Sequence, residues 1–119
     1  MRAIRVITTF ALGFILSSVL LLSAAFAGTD KGNGNEAGQA AFKGNCVACH
    51  GADGAGTPLG KSMQAADLRS PEVQKKSDAE LSQTIAEGKG NMPSFKRVLN
   101  PEHIQAVVKY VRELGKARQ

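Results

Sequence analysis

Cys46-Val47-Ala48-Cys49-His50 decides how the rest of the chain is read. It has the C-x-x-C-H pattern for covalent attachment of a c-type haem. Two thiols three positions apart can each add to one haem vinyl group and form two thioether bonds. The next residue, His50, then lies under the iron and offers an imidazole nitrogen as proximal axial ligand. A C-x-x-C pair has three other readings: a thioredoxin-type redox pair, half a zinc site, or a disulfide. The first needs a strand-helix-strand context that the sequence does not supply. Zinc needs a further ligand, and His103 is the only other histidine. A disulfide leaves the adjacent His50 without a reason. The chain has no third cysteine to compete for these thiols.

What precedes the motif agrees with export. Met1-Arg2-Ala3-Ile4-Arg5 is a short basic start, Val6 to Leu22 is almost wholly apolar, and Ala25-Phe26-Ala27 gives a small-x-small cleavage pattern. Residues 1–27 therefore read as a secretory signal peptide cut after Ala27. The alternative is an uncleaved anchor, since the apolar run to Ala27 is close to the roughly 20 residues that span a bilayer. Removing residues 1–27 from the 119 leaves 92, enough for one domain with a limited apolar core. A covalently held haem would supply part of that core, in a chain with no Trp and one Tyr. The formal charge of +5 falls to +3 once Arg2 and Arg5 are gone. Acidic and basic residues are interspersed, which excludes a nucleic-acid-binding reading.

Residues 28–35 read as a flexible leader rich in Gly and Asn, and 36–119 as the domain. Glu36 to Asn45 reads as a first helix. Gly38 costs it roughly 1 kcal/mol relative to Ala, a cost explained by close approach of another helix or by fraying. Gly51 to Gly60 reads as loop, and Lys61 to Leu68 is ambiguous. Ser70-Pro71 opens a short helix. Ser77-Asp78-Ala79-Glu80 is a capping box, opening a helix that runs to Glu87 and stops at Gly88. Gly88 to Leu99 is an irregular loop around Met92-Pro93. Asn100-Pro101 opens the last helix, expected to end near Leu114 with Gly115 after it. Its stripe of Ile104, Val107, Val108, Val111 and Leu114 is amphipathic at helical period. No alternating strand pattern is present, so the fold class is all-α.

Met92 is the candidate for the iron ligand opposite His50. A thioether is a soft donor, and Met/His ligation raises the potential. Met63 and an open iron are the alternatives. Asn91 is a candidate donor to the Met92 sulfur. His103 reads as a solvated residue on the first turn of the last helix.

With these residues in hand, the chain resembles the small monohaem class I c-type cytochromes of bacteria. The resemblance rests on Cys46 to His50, Gly38, Phe42, Pro58-Leu59, Met92-Pro93 and Tyr110, and covers roughly residues 35–116. It implies three to five helices around one haem c, with N- and C-terminal helices crossing. Gly38 and Phe42 would face Val107 and Tyr110. It also implies a proline carbonyl that accepts a hydrogen bond from the proximal histidine, and Pro58 is the candidate. If His50 and Met92 both bind iron, no vacancy is left for substrate, so the expectation is electron transfer rather than catalysis. The expected protein is a monomeric periplasmic carrier. Its partners would be a quinol-oxidising complex or dehydrogenase on one side and a terminal oxidase or reductase on the other. Lys43, Lys61, Lys89, Lys96 and Arg97 are either a steering surface for acidic partners or scattered solubilising charge. Two other functions stay open. One is a subunit of a larger oxidoreductase tethered to the membrane by the uncleaved segment. The other is a haem-based ligand sensor or weak peroxidase with an open sixth site.

Overall fold

The computed structural model describes residues 34–117. The expected signal peptide and the leader up to residue 33 lie outside these, as do residues 118 and 119. Six helices occur among the described residues: α1 (Gly34–Asn45), α2 (Val47–His50), α3 (Pro58–Ser62), α4 (Pro71–Gln74), α5 (Asp78–Glu87) and α6 (Pro101–Lys116). Three of them are single turns. The one β-type pairing is an isolated bridge between Lys89 and Met92, so the all-α expectation holds there.

The core is built where α1 crosses α6. A Cβ placed on Gly38 would fall onto the Ala106 carbonyl and lie 3.3 Å from the Tyr110 Cβ. Any side chain at 38 would hold the helices apart, so of the two explanations for this glycine close approach is the operative one. One turn along each helix, Phe42 meets Tyr110 with ring centroids 5.1 Å apart and planes tilted by 56°, a favourable aromatic geometry. Phe42 is 1% exposed, Val107 2% and Val108 0%. Burying the Phe42 ring alone contributes about 2–3 kcal/mol, more than the helix loses by carrying Gly38.

The remaining elements close around α6 through their apolar faces and capped ends. Leu81 and Ile85 of α5 join Leu99, Ile104 and Val111 in the buried cluster. Both arms of the Ser77 capping box form. The Ser77 N–H donates to Glu80 Oε2 at 2.7 Å and the Glu80 N–H to Ser77 Oγ at 3.2 Å. The Ser77 N–H, and then the Ser77 hydroxyl donating to the same Oε2 at 2.8 Å, hold the Glu80 carboxyl below its ordinary range. Asn100 caps α6 by accepting from the His103 N–H at 2.8 Å. The link between α4 and α5 is gathered onto α6 by Arg112. Its guanidinium donates to the Gln74 and Lys76 carbonyls and to Asp78 Oδ1.

Three boundaries differ from expectation. α1 begins at Gly34 rather than Glu36. Pro58 opens a helix instead of lying in a loop, because Thr57 caps it by accepting from the Gly60 N–H. Gly115 lies inside the last turn of α6, which runs to Lys116. Its space is taken by the Gln74 side-chain amide, which itself donates to the Leu68 and Val111 carbonyls at 2.7 and 3.1 Å.

Replacing Gly38 by Ala adds one methyl where the Ala106 carbonyl stands. Denaturant unfolding of the holoprotein is expected to show a loss of about 2–3 kcal/mol, although the substitution raises helix propensity. An unchanged or raised midpoint would mean that the crossing does not constrain position 38.

Candidate haem site

The motif grows directly out of α1. The Cys46 N–H still donates to the Phe42 carbonyl at 2.8 Å, but Cys46 leaves helical geometry at φ −118°. The chain then re-enters a helical turn. The Cys49 and His50 N–H groups both donate to the Cys46 carbonyl, at 3.2 and 2.9 Å. Cys46, Cys49 and His50 therefore sit together on one turn, attached to the crossing helix. Both thiols are free and half-buried.

The titration of Cys46 weighs against disulfide exchange. Burial, and then the neighbouring Cys49 charge, push the Cys46 thiol up to about 11. An exchanging C-x-x-C pair needs a lowered thiol, and this one is raised. Burial pushes the His50 imidazole below its ordinary value, while its hydrogen bond to Ala66 opposes that shift. The net direction favours the neutral ring. Its Nδ1 lies 3.2 Å from the Ala66 carbonyl oxygen. With the proton on Nδ1 donated there, the Nε2 lone pair is left for a metal.

The carbonyl at Nδ1 is that of Ala66, where Pro58 was the expected source. The reason is local. Thr57 Oγ donates to the Ala48 carbonyl at 2.8 Å and to the Cys49 carbonyl at 3.3 Å, drawing α3 onto the motif. Pro58 is thereby fixed as the first residue of a helical turn. A Cβ on Gly60 would fall onto the Cys49 carbonyl, so α3 rests on the motif backbone with nothing between. Sequence reasoning missed both Gly60 and Ala66. Thr57-Pro58 carried the same cap-plus-proline signal as Ser70-Pro71 and Asn100-Pro101, and it pointed to α3.

Met92 comes from a separate segment. It is partly buried and packs against the core cluster, while Met63 is 38% exposed at the end of α3. The Met92 turn is held by reciprocal backbone bonds with Lys89 at 3.0 and 3.1 Å. It is pinned to α5 by Phe95 N–H to the Ile85 carbonyl and by Ser94 Oγ to the Ala86 carbonyl. The Asn91 amide donates to the Met63 carbonyl at 3.0 Å. That amide joins the Met92 turn to the segment after His50 and is not aimed at the Met92 sulfur as the sequence suggested. His103 is exposed.

Two thiols that could add to haem vinyl groups, with an imidazole and a thioether that could bind the iron, are the chemistry a covalently attached haem would need. Among the described residues, no three His, Cys, Asp or Glu side chains gather as a bare-metal site. Apolar surface also awaits cover: Leu59 is 55% and Val98 64% exposed, and Val47, Leu68, Met92 and Phe95 are half-covered. The residues present fit the group.

The family model described as cytochrome c oxidase, cbb3-type, subunit III matches residues 33–111. The chain belongs to the class I c-type cytochromes. A cytochrome c6 of Gloeothece citriformis is 34% identical to this cytochrome over 110 residues, covering 92% of this chain and 93% of the relative. A cytochrome c6 of Nostoc is 32% identical over 103 residues, covering 87% and 89%. The solved KustC0563 c-type cytochrome superposes with a TM-score of 0.61 at 37% identity, over 65% of this chain and 95% of that one. The cbb3-type oxidase subunit FixP of Bradyrhizobium diazoefficiens is 39% identical over 89 residues, or 73% of this chain. That match covers only 30% of FixP. The cytochrome is a monohaem electron carrier whose cofactor is covalently bound haem c with its iron.

Replacing Gly60 by Ala is expected to push α3 off the Cys49 carbonyl and cost about 2 kcal/mol in unfolding of the holoprotein. The covalent haem yield should fall with it, measured by haem staining of the exported product. Wild-type yield and stability together would mean that α3 does not bear on the motif.

Proposed function

We propose that this cytochrome is a periplasmic single-electron shuttle, with Cys46 and Cys49 as thioether donors and His50 and Met92 as axial ligands. The observation that carries the reading is the half-buried His50, held through Nδ1 by the Ala66 carbonyl and placed on the same turn as two free thiols. When bound, the haem supplies an iron that cycles between ferrous and ferric states. The residues do the rest. His50 offers one nitrogen with its ring orientation fixed from behind. Met92 offers a soft sulfur from a turn braced against α5, which favours the reduced state. Two protein ligands leave no place for substrate, which supports transfer over catalysis.

An acidic redox partner is favoured by the exposed Lys43, Lys61, Lys89 and Arg97. Lys96 differs from these, since it pairs with Glu87 at 2.7 Å. The partners in this reading are a quinol-oxidising complex or dehydrogenase and a terminal oxidase or reductase. The likeness to FixP favours a second reading, a tethered subunit of a larger oxidoreductase. No helix among the described residues is long and apolar enough to cross a membrane, so residues 1–27 would have to serve as anchor. The two readings separate by mass spectrometry of the expressed protein. The shuttle is expected in the soluble fraction beginning at Gly28, and a membrane-bound form retaining Met1 would favour the subunit.

Absorption spectra of wild type and Met92→Ala test the ligand set. Oxidised wild type should show the weak far-red band of a sulfur-to-ferric-iron bond, and the variant should lose it. The variant should also bind carbon monoxide when reduced and have a lower midpoint potential. A band that survives in Met92→Ala would assign the sulfur to Met63. A wild type without the band that binds carbon monoxide would instead support the sensor or peroxidase reading.

A further inference from the structure

We infer that Arg69 is a positioning residue for the proximal histidine: it clamps the segment that presents the Ala66 carbonyl to His50 Nδ1. The inference rests on the reading of His50 as axial ligand.

Ala66 has no side chain with which to fix its own carbonyl, and its residue is exposed. What holds it lies on either side. Before it, the Ala65 N–H donates to the Gly60 carbonyl at 2.8 Å. After it comes Asp67, whose carboxylate is gripped by Arg69 as a fork, Nε to Oδ1 at 3.1 Å and Nη2 to Oδ2 at 3.2 Å. The Arg69 N–H adds a bond to the same Oδ1 at 2.9 Å. The remaining arm of the guanidinium, Nη1, reaches Asp53 Oδ2 at 3.3 Å. Asp53 lies three residues beyond His50, and its other oxygen accepts from the Ala55 N–H at 3.0 Å. The Gly56 N–H then donates back to the His50 carbonyl at 2.7 Å.

These contacts form a closed circuit. It leaves the His50 backbone, passes through Asp53, Arg69 and Asp67 to the Ala66 carbonyl, and returns to the His50 ring. The Leu68 N–H to the Gly54 carbonyl, at 2.8 Å, runs alongside. Only a planar guanidinium can hold two carboxylates and a fork at once, so lysine at 69 would keep the charge and lose the geometry. A carbonyl held firmly at Nδ1 makes the imidazole a stronger donor, which favours ferric iron. Arg69 therefore acts on the potential through the ring it never touches.

The test uses the exported holoprotein and Arg69→Lys, which leaves the net charge unchanged. Two quantities are read: the hydrogen-exchange rate of the His50 Nδ1–H by NMR in the ferrous state, and the midpoint potential against a one-electron reference. The variant should exchange about tenfold faster, as expected when one charge-assisted hydrogen bond is weakened, and its midpoint should rise. Asp53→Asn, which cuts one arm only, should speed exchange less. It also gives a second reading if Arg69→Lys does not mature. Wild-type exchange and midpoint in the variants, with only a lower melting temperature, would overturn the inference and leave a surface ion pair. If wild type shows no haem-shifted His50 ring signals, the ligand reading fails first and takes the inference with it. That failure is seen before any variant is made.

Discussion

Backbone lying directly on backbone, with no side chain between, is the constraint on which this molecule depends. It happens twice. Gly38 admits the Ala106 carbonyl at the crossing of α1 and α6, and Gly60 admits the Cys49 carbonyl where α3 meets the motif. The first contact joins the two ends of the domain, and the second seats α3 against the haem-attachment turn. Because Cys46 continues the hydrogen bonding of α1, the two contacts share one rigid piece of chain. The donors at Cys46, Cys49 and His50 inherit their placement from a helix crossing that lies outside the motif.

The polypeptide alone is an incomplete core. Its buried cluster is centred on α6, with Phe42, Val107 and Val108 at its heart. Around that cluster Val47, Leu68, Met92 and Phe95 are only partly buried, and Leu59 and Val98 stand out in solvent. A chain of this length buries too small a share of its apolar surface to be stable with ease. A flat apolar group held by two covalent bonds would correct that deficit and, in the proposed ligation, would exclude water from His50 and Met92. Stability and redox poise are therefore obtained from the same burial, and cannot be tuned wholly apart.

How much of this was legible in the sequence depended on whether the signal was local. The capping box at Ser77, the cap-proline pairs at Ser70 and Asn100, and the stripe from Ile104 to Val111 are all written within a few residues. Each of these elements forms where its residues say. Gly38 was readable as a crossing point because glycine inside a helix needs a reason. Ala66 was not readable, since any residue can offer its carbonyl and the choice is made by how α3 and Asp67 fix the chain. Gly115 misled for a related reason. A glycine near a helix end signals termination, and here it makes room for the Gln74 amide arriving from another element. Asn91 likewise had a plausible local partner in Met92 and found a distant one in Met63.

The crossing of α1 with α6 joins the first described helix to the last, so its contacts span most of the domain's length. Such non-local pairing carries a loop-closure entropy cost, which slows assembly. In a chain delivered from its N-terminus, Cys46 and Cys49 emerge long before α6 exists to pack against α1. During that interval the thiols are not yet burdened by the burial that raises Cys46 in the finished fold. The order of the helices along the chain thus puts the motif at the end of the first helix of the crossing, with the other helix supplied last.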